Sequence, residues 1–396
     1  MAVFTPFVSS LAVFLTLFVI VSSQFPPYEE ICVHDKYPPP AKDKVPTEVV
    51  NLDLPPIERW QNVMKDKGPA VQGLLKAFIL FISDFFGEAT TNEILRLVNI
   101  FVGALDDTLP PPFPDELRGI AKATGIPLGE VVLYNIFYEV FTVCTSVIAE
   151  DPHGRLHHAR NLDFGLFLGW DQKTHAWNIT TALRPAVVNL DWQRGGKTVF
   201  KSVNFAGYVG ILTAMKPQLF TLTMNERFNI KGGYIGIINW ILGDRKSRWM
   251  GFLTRLVMET AKGYEEAKEL LSNEPMLAPA YFILGGNSSG QGCVITRSSA
   301  KAIDVWEMKR TGHPWFILET NYDHWEAPLF LDDRRTPANK CMANMTQANV
   351  GFPGIYNVLS SKPVLNKLTA YTALMQVNSG TFESYLRYCP DPCFPW

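Results

Sequence analysis

Three residues in one short stretch have the types needed for nucleophilic acyl transfer: Cys144, Arg160 and Asp163. A thiol attacks a carbonyl only when a base takes its proton and donors hold the oxyanion. The seven histidines stand at 34, 153, 157, 158, 175, 313 and 324, and none forms a recognisable Cys/His pair with Cys144. The Cys-Gly-x-Cys-Trp signature of papain-like enzymes is absent. His157 and His158 are adjacent in a strand-like run, so they point to opposite faces and are poorly spaced for a shared metal. The alternative base is the α-amino group that Cys144 would carry if the chain were cut before it. Its ordinary pKa, about 7.7–8.0, suits proton transfer, and it needs no histidine.

These residues must be positioned by a hairpin. Residues 143–149 are β-rich, Asp151-Pro-His-Gly154 is a turn signal, and residues 155–163 form a second strand. Pairing centred on that turn sets Cys144 opposite Asn161, with Asp163 one diagonal step away on the same face. Asp163 can then orient the new ammonium. Arg160 points to the other face in a regular strand, so this register predicts irregular pairing near Asn161.

The rest of the chain divides at Cys144. Before it, residues 24–56 are proline-rich, and helical patterns run over 74–86, 94–105, 115–123 and 128–140. After it, strand-like runs cover 177–183, 198–205, 208–213, 219–224, 281–285, 292–297, 302–307 and 315–320. Helices are expected over 234–242, 248–260, 263–272, 352–360 and 369–375. Such α+β patterning suits two sheets packed between helical layers.

A net charge of −2 gives no global attraction to nucleic acid. Residues 11–21 are uninterruptedly apolar apart from Thr16 and end in Ser22-Ser23, which reads as a signal peptide over 1–23. No later stretch is long and charge-free enough to span a bilayer. The mature protein is therefore expected to be soluble, in a lumen or secreted. Sequons at Asn178, Asn287 and Asn344 fit that compartment as glycosylation sites. Of six cysteines, Cys32, Cys293, Cys341, Cys389 and Cys393 remain if Cys144 is reserved for chemistry. Cys389-Pro-Asp-Pro-Cys393 suits a local loop, and the remaining connectivity stays open.

Several motifs are shared with a known family: Ile126-Pro-Leu-Gly-Glu130, Tyr134-Asn-Ile-Phe-Tyr-Glu139, Cys144-Thr-Ser146, Arg160-Asn-Leu-Asp-Phe-Gly165, Asn225-Glu-Arg-Phe228, Thr320-Asn-Tyr-Asp323 and Asp332-Asp-Arg-Arg-Thr-Pro337. From about residue 28 to the end the sequence resembles the acid ceramidases, of the N-terminal nucleophile hydrolase superfamily. The resemblance implies an α+β fold, an αββα sandwich with a mostly helical N-terminal subunit. It implies self-cleavage before Cys144 into an α subunit, 24–143, and a catalytic β subunit, 144–396, joined by Cys32–Cys341, with Cys389–Cys393 local. Cys144 resembles the nucleophile, Asp163 and Arg160 its orienting groups, and Asn321 an oxyanion donor. Glu226 and Arg334 resemble pocket residues contacting substrate or the cleavage site. The implied reaction is hydrolysis of ceramide to sphingosine and a fatty acid in the lysosomal lumen, without cofactor or metal, on a membrane surface or with a saposin-type activator. Helices over 74–86, 235–242 and 249–257 are candidates to face lipid. Two rivals share parts of this pattern: an acid amidase acting on N-acylethanolamines, and a non-catalytic lipid-binding protein.

Overall fold

The computed structural model describes residues 32–89, 91–93, 95–96, 109–138, 142–164, 169–227, 248–308 and 315–393. The signal-peptide segment, the helix expected over 234–242 and, apart from residues 95–96, the one expected over 94–105 lie outside the described residues. In chain order the elements are β1 (Thr47–Asn51), α1 (Gln61–Phe86), α2 (Phe113–Thr124), α3 (Leu128–Tyr138), β2 (Thr142–Glu150), β3 (Leu156–Phe164), the short pair β4 (Trp170–Asp171) and β5 (Ala176–Trp177), and α4 (Asn178–Leu183). Then come β6 (Val187–Arg194), β7 (Lys197–Phe205), β8 (Thr213–Lys216), β9 (Phe220–Glu226), α5 (Met250–Thr260), α6 (Tyr264–Asn273), β10 (Ala280–Gly285), β11 (Gly292–Arg297) and β12 (Ala302–Glu307). The chain closes with β13 (Phe316–Glu319), α7 (Arg335–Met345), α8 (Phe352–Ser360), β14 (Thr369–Gln376) and β15 (Thr381–Leu386).

Two sheets face each other. One runs β1-β6-β7-β8-β9-β10-β11-β12, and the other runs β13-β2-β3-β14-β15. The outer face of the five-stranded sheet, carrying Val147, Ala149, Ala159, Phe316, Leu318 and Leu374, packs on α7 and α8 through Met342, Ile355 and Leu359. The faces between the sheets meet through Ile148, Ile317, Tyr281 and Ile283. Period-two alternation along each strand divides these clusters. Leu271 and Ala267 of α6 join Phe282, Leu284 and Cys293 in the cluster on the far face of the larger sheet. This is the expected αββα layering.

The segment before Cys144 is woven into the same core. Its β1 pairs in parallel with β6, Thr47 opposite Asn189. Glu116 of α2, fully buried, accepts from Arg59 Nη1 at 3.0 Å, Trp60 Nε1 at 2.8 Å and Arg255 Nη2 at 2.9 Å. A buried carboxylate is tolerable only with such charged and hydrogen-bonded partners. Here they clamp the N-terminal segment to α5. Cys32–Cys341 and Cys389–Cys393 are bridged, and Cys144 and Cys293 are free and buried.

Several expectations change. Residues 369–375, rich in the helix formers Ala, Leu and Met, form strand β14, buried along its whole length between β3 and β15. Central burial on both faces overrides local propensity. Residues 178–183 are helical, not extended. Residues 208–212 precede β8 rather than forming a strand, after a turn in which Tyr208 N–H donates to Phe205 O. Trp249, Phe252, Leu253 and Val257 are buried, so 249–257 faces the core and not lipid. In α1, Leu74, Leu75 and Phe78 are also core, while Leu80 is exposed. Among the described residues, no helix is long and apolar enough to cross a membrane.

Candidate active site

The β2–β3 hairpin is regular, but its register differs from the expected one by one residue. Cys144 lies opposite Leu162, Ser146 opposite Arg160 and Val143 opposite Asp163. The reason is the loop. Arg155 belongs to it rather than to β3. Asp151 N–H donates to Arg155 O, and the Asp151 carboxylate accepts from the N–H groups of His153 and Arg155. Gly154 at φ 78° supplies the left-handed residue this five-residue loop needs. A one-residue slip exchanges faces. Arg160 therefore shares the inter-sheet face with Cys144, and Asp163 points to the outer face.

This resolves the difficulty with Arg160 without a bulge in β2–β3. Its Nη2 donates to Cys144 Sγ, and its Nη1 donates to Leu212 O at 2.7 Å and Thr213 Oγ1 at 3.0 Å. The irregularity sits on the other side of β3. Asp163 pairs with Thr369 and Leu162 with Tyr371, leaving Ala370 as the extra residue. Thr369 Oγ1 donates to Asp163 Oδ1 at 2.6 Å, and Asn366 Nδ2 donates to Oδ2 at 3.1 Å.

Arg334, at the start of α7, closes the site from the outer side. Its Nη1 donates to Cys144 O at 2.6 Å and lies 3.4 Å from Asp163 Oδ2; its Nη2 donates to Asn321 Oδ1 at 2.8 Å. Asp332 fixes the guanidinium by accepting from Nε at 2.9 Å and Nη2 at 3.0 Å. Cys144 N–H donates to Asn321 Oδ1 at 2.9 Å, while Asn321 Nδ2 donates to Glu226 O at 2.7 Å. The other five expected site residues thus converge on Cys144, Asp163 by way of Arg334 and Glu226 through its carbonyl oxygen on Asn321. In this continuous chain the Asn321 amide turns its oxygen, not its N–H, towards the nucleophile.

The electrostatics describe a thiol held in reserve. Complete burial pushes the Cys144 thiol up to about 11, against the opposing pull of Arg160 and Arg334. Burial also raises Asp163, opposed by Arg334 and the Thr369 and Asn366 hydrogen bonds. His158 lies on the inter-sheet face, with Nδ1 2.8 Å from Thr221 Oγ1 and Nε2 3.0 Å from Thr223 Oγ1. Burial holds it down to about 3, so it is a neutral core residue and not a base for Cys144. His157 faces the other way, 3.3 Å from Asp151 Oδ2. Among the described residues no group of three His, Cys, Asp or Glu side chains is gathered for a metal.

Other participants carried no readable signal. Thr369 reaches Asp163 from a segment expected to be helical, and Asn366 from the connection just before it. Thr223 Oγ1 donates to Ser146 Oγ at 2.9 Å, and Ser146 Oγ donates to Asn225 Oδ1 at 2.9 Å. Asn225 Nδ2 in turn donates to Glu319 O at 3.2 Å and Thr320 O at 2.8 Å. This polar seam ties the two sheets together two residues beyond the nucleophile.

The comparisons agree with this geometry. The family model for linear amide C-N hydrolases, the choloylglycine hydrolase family, matches residues 144–338, beginning at the cysteine itself. A model for the beta subunit of N-acylethanolamine-hydrolyzing acid amidase matches residues 43–109. Acid ceramidase of Homo sapiens is 51% identical over 379 residues, covering 95% of both chains. The chain belongs to the acid ceramidase family. The family's Mus musculus protein is 50% identical, with 94% of each chain covered. Among solved structures, a Caenorhabditis elegans ortholog of N-acylethanolamine-hydrolyzing acid amidase superposes with TM-score 0.51 at 27% identity, over 62% of this chain and all of that one. Family membership makes the chain an amidohydrolase with an N-terminal nucleophile fold, and Cys144, the first residue of the matched segment, is its candidate nucleophile.

Proposed function

We propose that the chain cuts itself between Val143 and Cys144, and that the freed Cys144 then hydrolyses the N-acyl bond of ceramide to sphingosine and a fatty acid. One observation carries this reading: the two atoms of Cys144 that would do the chemistry are already held, Sγ by Arg160 and N by Asn321. In the cut, Sγ attacks the Val143 carbonyl, the Cys144 nitrogen leaves as an amine, and water hydrolyses the resulting thioester. The new amine titrates near neutrality and replaces the missing base. In turnover it takes the thiol proton, the thiolate attacks the ceramide carbonyl, and the amine protonates the departing sphingosine nitrogen. Water then releases the fatty acid. Arg160 and Asp163 orient the thiol and amine. Asn321 serves the oxyanion once its N–H leaves the Glu226 carbonyl, and Glu226 and Arg334 contact substrate or the cleavage site.

The mature protein is then a heterodimer of 24–143 and 144–396, held by Cys32–Cys341 and the Glu116 cluster. It works in the lysosomal lumen behind a signal peptide over 1–23, glycosylated at Asn178, Asn287 and Asn344, whose side chains are exposed. Ceramide carries two alkyl chains, and extracting each CH₂ into water costs about 0.8 kcal/mol. The substrate is therefore taken at a membrane surface or from a lipid-carrying activator of saposin type. Exposed Trp325, Leu329 and Phe330, between Asn321 and Arg334, support a lipid-facing rim. No nucleic-acid partner or cofactor is invoked.

The likeness to the nematode amidase and the match over 43–109 favour one second reading, hydrolysis of N-acylethanolamines. Turnover of both lipids at acid pH separates them. Faster cleavage of the ceramide is expected, and preference for the ethanolamide would overturn the substrate assignment.

A further inference from the structure

Glu319 ends β13 opposite Ser146, on the inter-sheet face that carries Cys144 and Arg160. Its side chain is wholly buried. Oε1 accepts the N–H of Thr320 at 2.8 Å, and Oε2 is buried with no hydrogen-bond partner among the described residues. The groups around it are Ser146 on β2, Asn225 on β9, Tyr281 on β10, and Asp323 and Arg335 beyond β13, with Cys144 and Arg160 farther along the same face. The cations there are committed elsewhere. Arg335 donates to the carbonyls of Tyr322, Asp323 and Glu326, and Arg227 grips Asp323 through two nitrogens. Tyr281 gives its hydroxyl to Asp323 Oδ1 at 2.7 Å. A carboxylate left in such a place, with one oxygen unmet and no paired cation, is unstable, whereas the neutral acid is tolerated.

We infer that Glu319 is a positioning residue that works as the un-ionised acid, holding the 319–321 segment so that Asn321 meets Cys144, and that its ionisation releases that segment. The inference deepens the reading of Cys144 as nucleophile and rests on it for the catalytic consequence. The segment has little freedom. Glu319 O and Thr320 O accept from Asn225, Thr320 N–H is taken by the Glu319 carboxyl, and Asn321 Oδ1 takes Cys144 N–H. Charging Glu319 draws the carboxyl towards water or a cation and pulls on the residue two before Asn321. Burial pushes this carboxyl up to about 8, opposed by the Thr320 N–H and Arg335 and reinforced by Asp323. Because the folded value is raised above the unfolded one of about 4.3, the stabilisation is complete below that pH and lost as pH rises through about 8. The device suits a site that works in acid.

The test compares full-length processed protein with Glu319→Gln, which keeps the neutral shape and cannot ionise. Ceramide turnover and thermal midpoint are followed from about pH 4 to about pH 9, a span that covers both titration limits. The wild type is expected to lose both as pH rises towards 8. In the variant the ratio of kcat near pH 9 to kcat near pH 5 rises about tenfold, with KM little changed, as a reading one unit above the titration requires. Superimposable profiles would overturn the inference. If the variant does not fold, the infrared carbonyl stretch of wild-type protein carrying ¹³C-carboxyl glutamate replaces it. An un-ionised glutamate at about pH 6 supports the inference, and its absence overturns it. Cys144→Ala separates the two claims: its midpoint keeps the Glu319 step, whereas retained turnover in that variant would sink the nucleophile and leave the titration standing.

Discussion

Cys144 and Cys293 are both free, both fully buried, and both raised by burial, to about 11 and about 12. Their surroundings separate them. Cys293 lies mid-chain on β11, on the outer face of the eight-stranded sheet beneath α6, with Tyr264, Lys268 and Glu307 nearby. Its backbone is locked opposite Leu284 and Glu307. Cys144 receives Arg160 at sulfur, Asn321 at nitrogen and Arg334 at oxygen. Every polar atom of Cys144 is addressed by a separate element. Burial alone therefore makes an inert thiol. The nucleophile proposed for Cys144 needs converging donors as well, and a backbone nitrogen that the proposed scission would free.

The largest contrast is between alanine substitutions. Cys144→Ala should leave the chain uncut and lower ceramide turnover by more than about 10³-fold, on the scale of removing a covalent nucleophile. Cys293→Ala should cut normally and keep turnover within a few-fold. Equal losses in both would break the comparison. Next, Arg160→Ala, Arg334→Ala and Asp163→Asn should each slow cleavage and turnover by about 10²–10³-fold, as loss of an electrostatic or orienting group does. Tyr264→Phe, beside Cys293, should do neither. Band shifts on gels and single-turnover rates measure this. Glu116→Ala takes the carboxylate from Arg59 and from both terminal nitrogens of Arg255, which keeps only Glu259 at Nε, 2.6 Å away, and should cost about 3–5 kcal/mol by denaturant titration, since truncating one partner of a buried ion pair is strongly destabilising. A smaller effect follows from His158. Its folded value, about 3, lies below the unfolded one of about 6.5, so its contribution is present above 6.5 and fades as pH falls towards 3. His158→Gln, which can still bond Thr221 and Thr223, should raise the ratio of stability near pH 4 to that near pH 7. An unchanged ratio would remove His158 from the acid balance.

The layering and most strands after Cys144 were legible because their apolar periods are clear. What failed did so for local reasons. Assigning Arg155 to β3 rather than to the loop shifted the hairpin by one residue and exchanged the faces of Arg160 and Asp163. Asp151 accepting from both His153 and Arg155 is a side-chain device that turn residues alone do not reveal. β14 was read as helix because its Ala, Leu and Met favour helix, and only its central place in the sheet decides otherwise. Residues 187–194 and 335–345 were read as neither strand nor helix, though they form β6 and α7. The site residues came from motif resemblance, not periodicity. Glu319 escaped because a single glutamate at a strand end has no sequence mark of burial.

The central claim is scission before Cys144, and the direct measurement is amino-terminal sequencing with intact mass of the mature protein after acid incubation. The account requires a chain beginning Cys-Thr-Ser-Val, joined to its partner until Cys32–Cys341 is reduced. An uncut chain that hydrolyses ceramide, or one cut elsewhere with Cys144 internal, would contradict it.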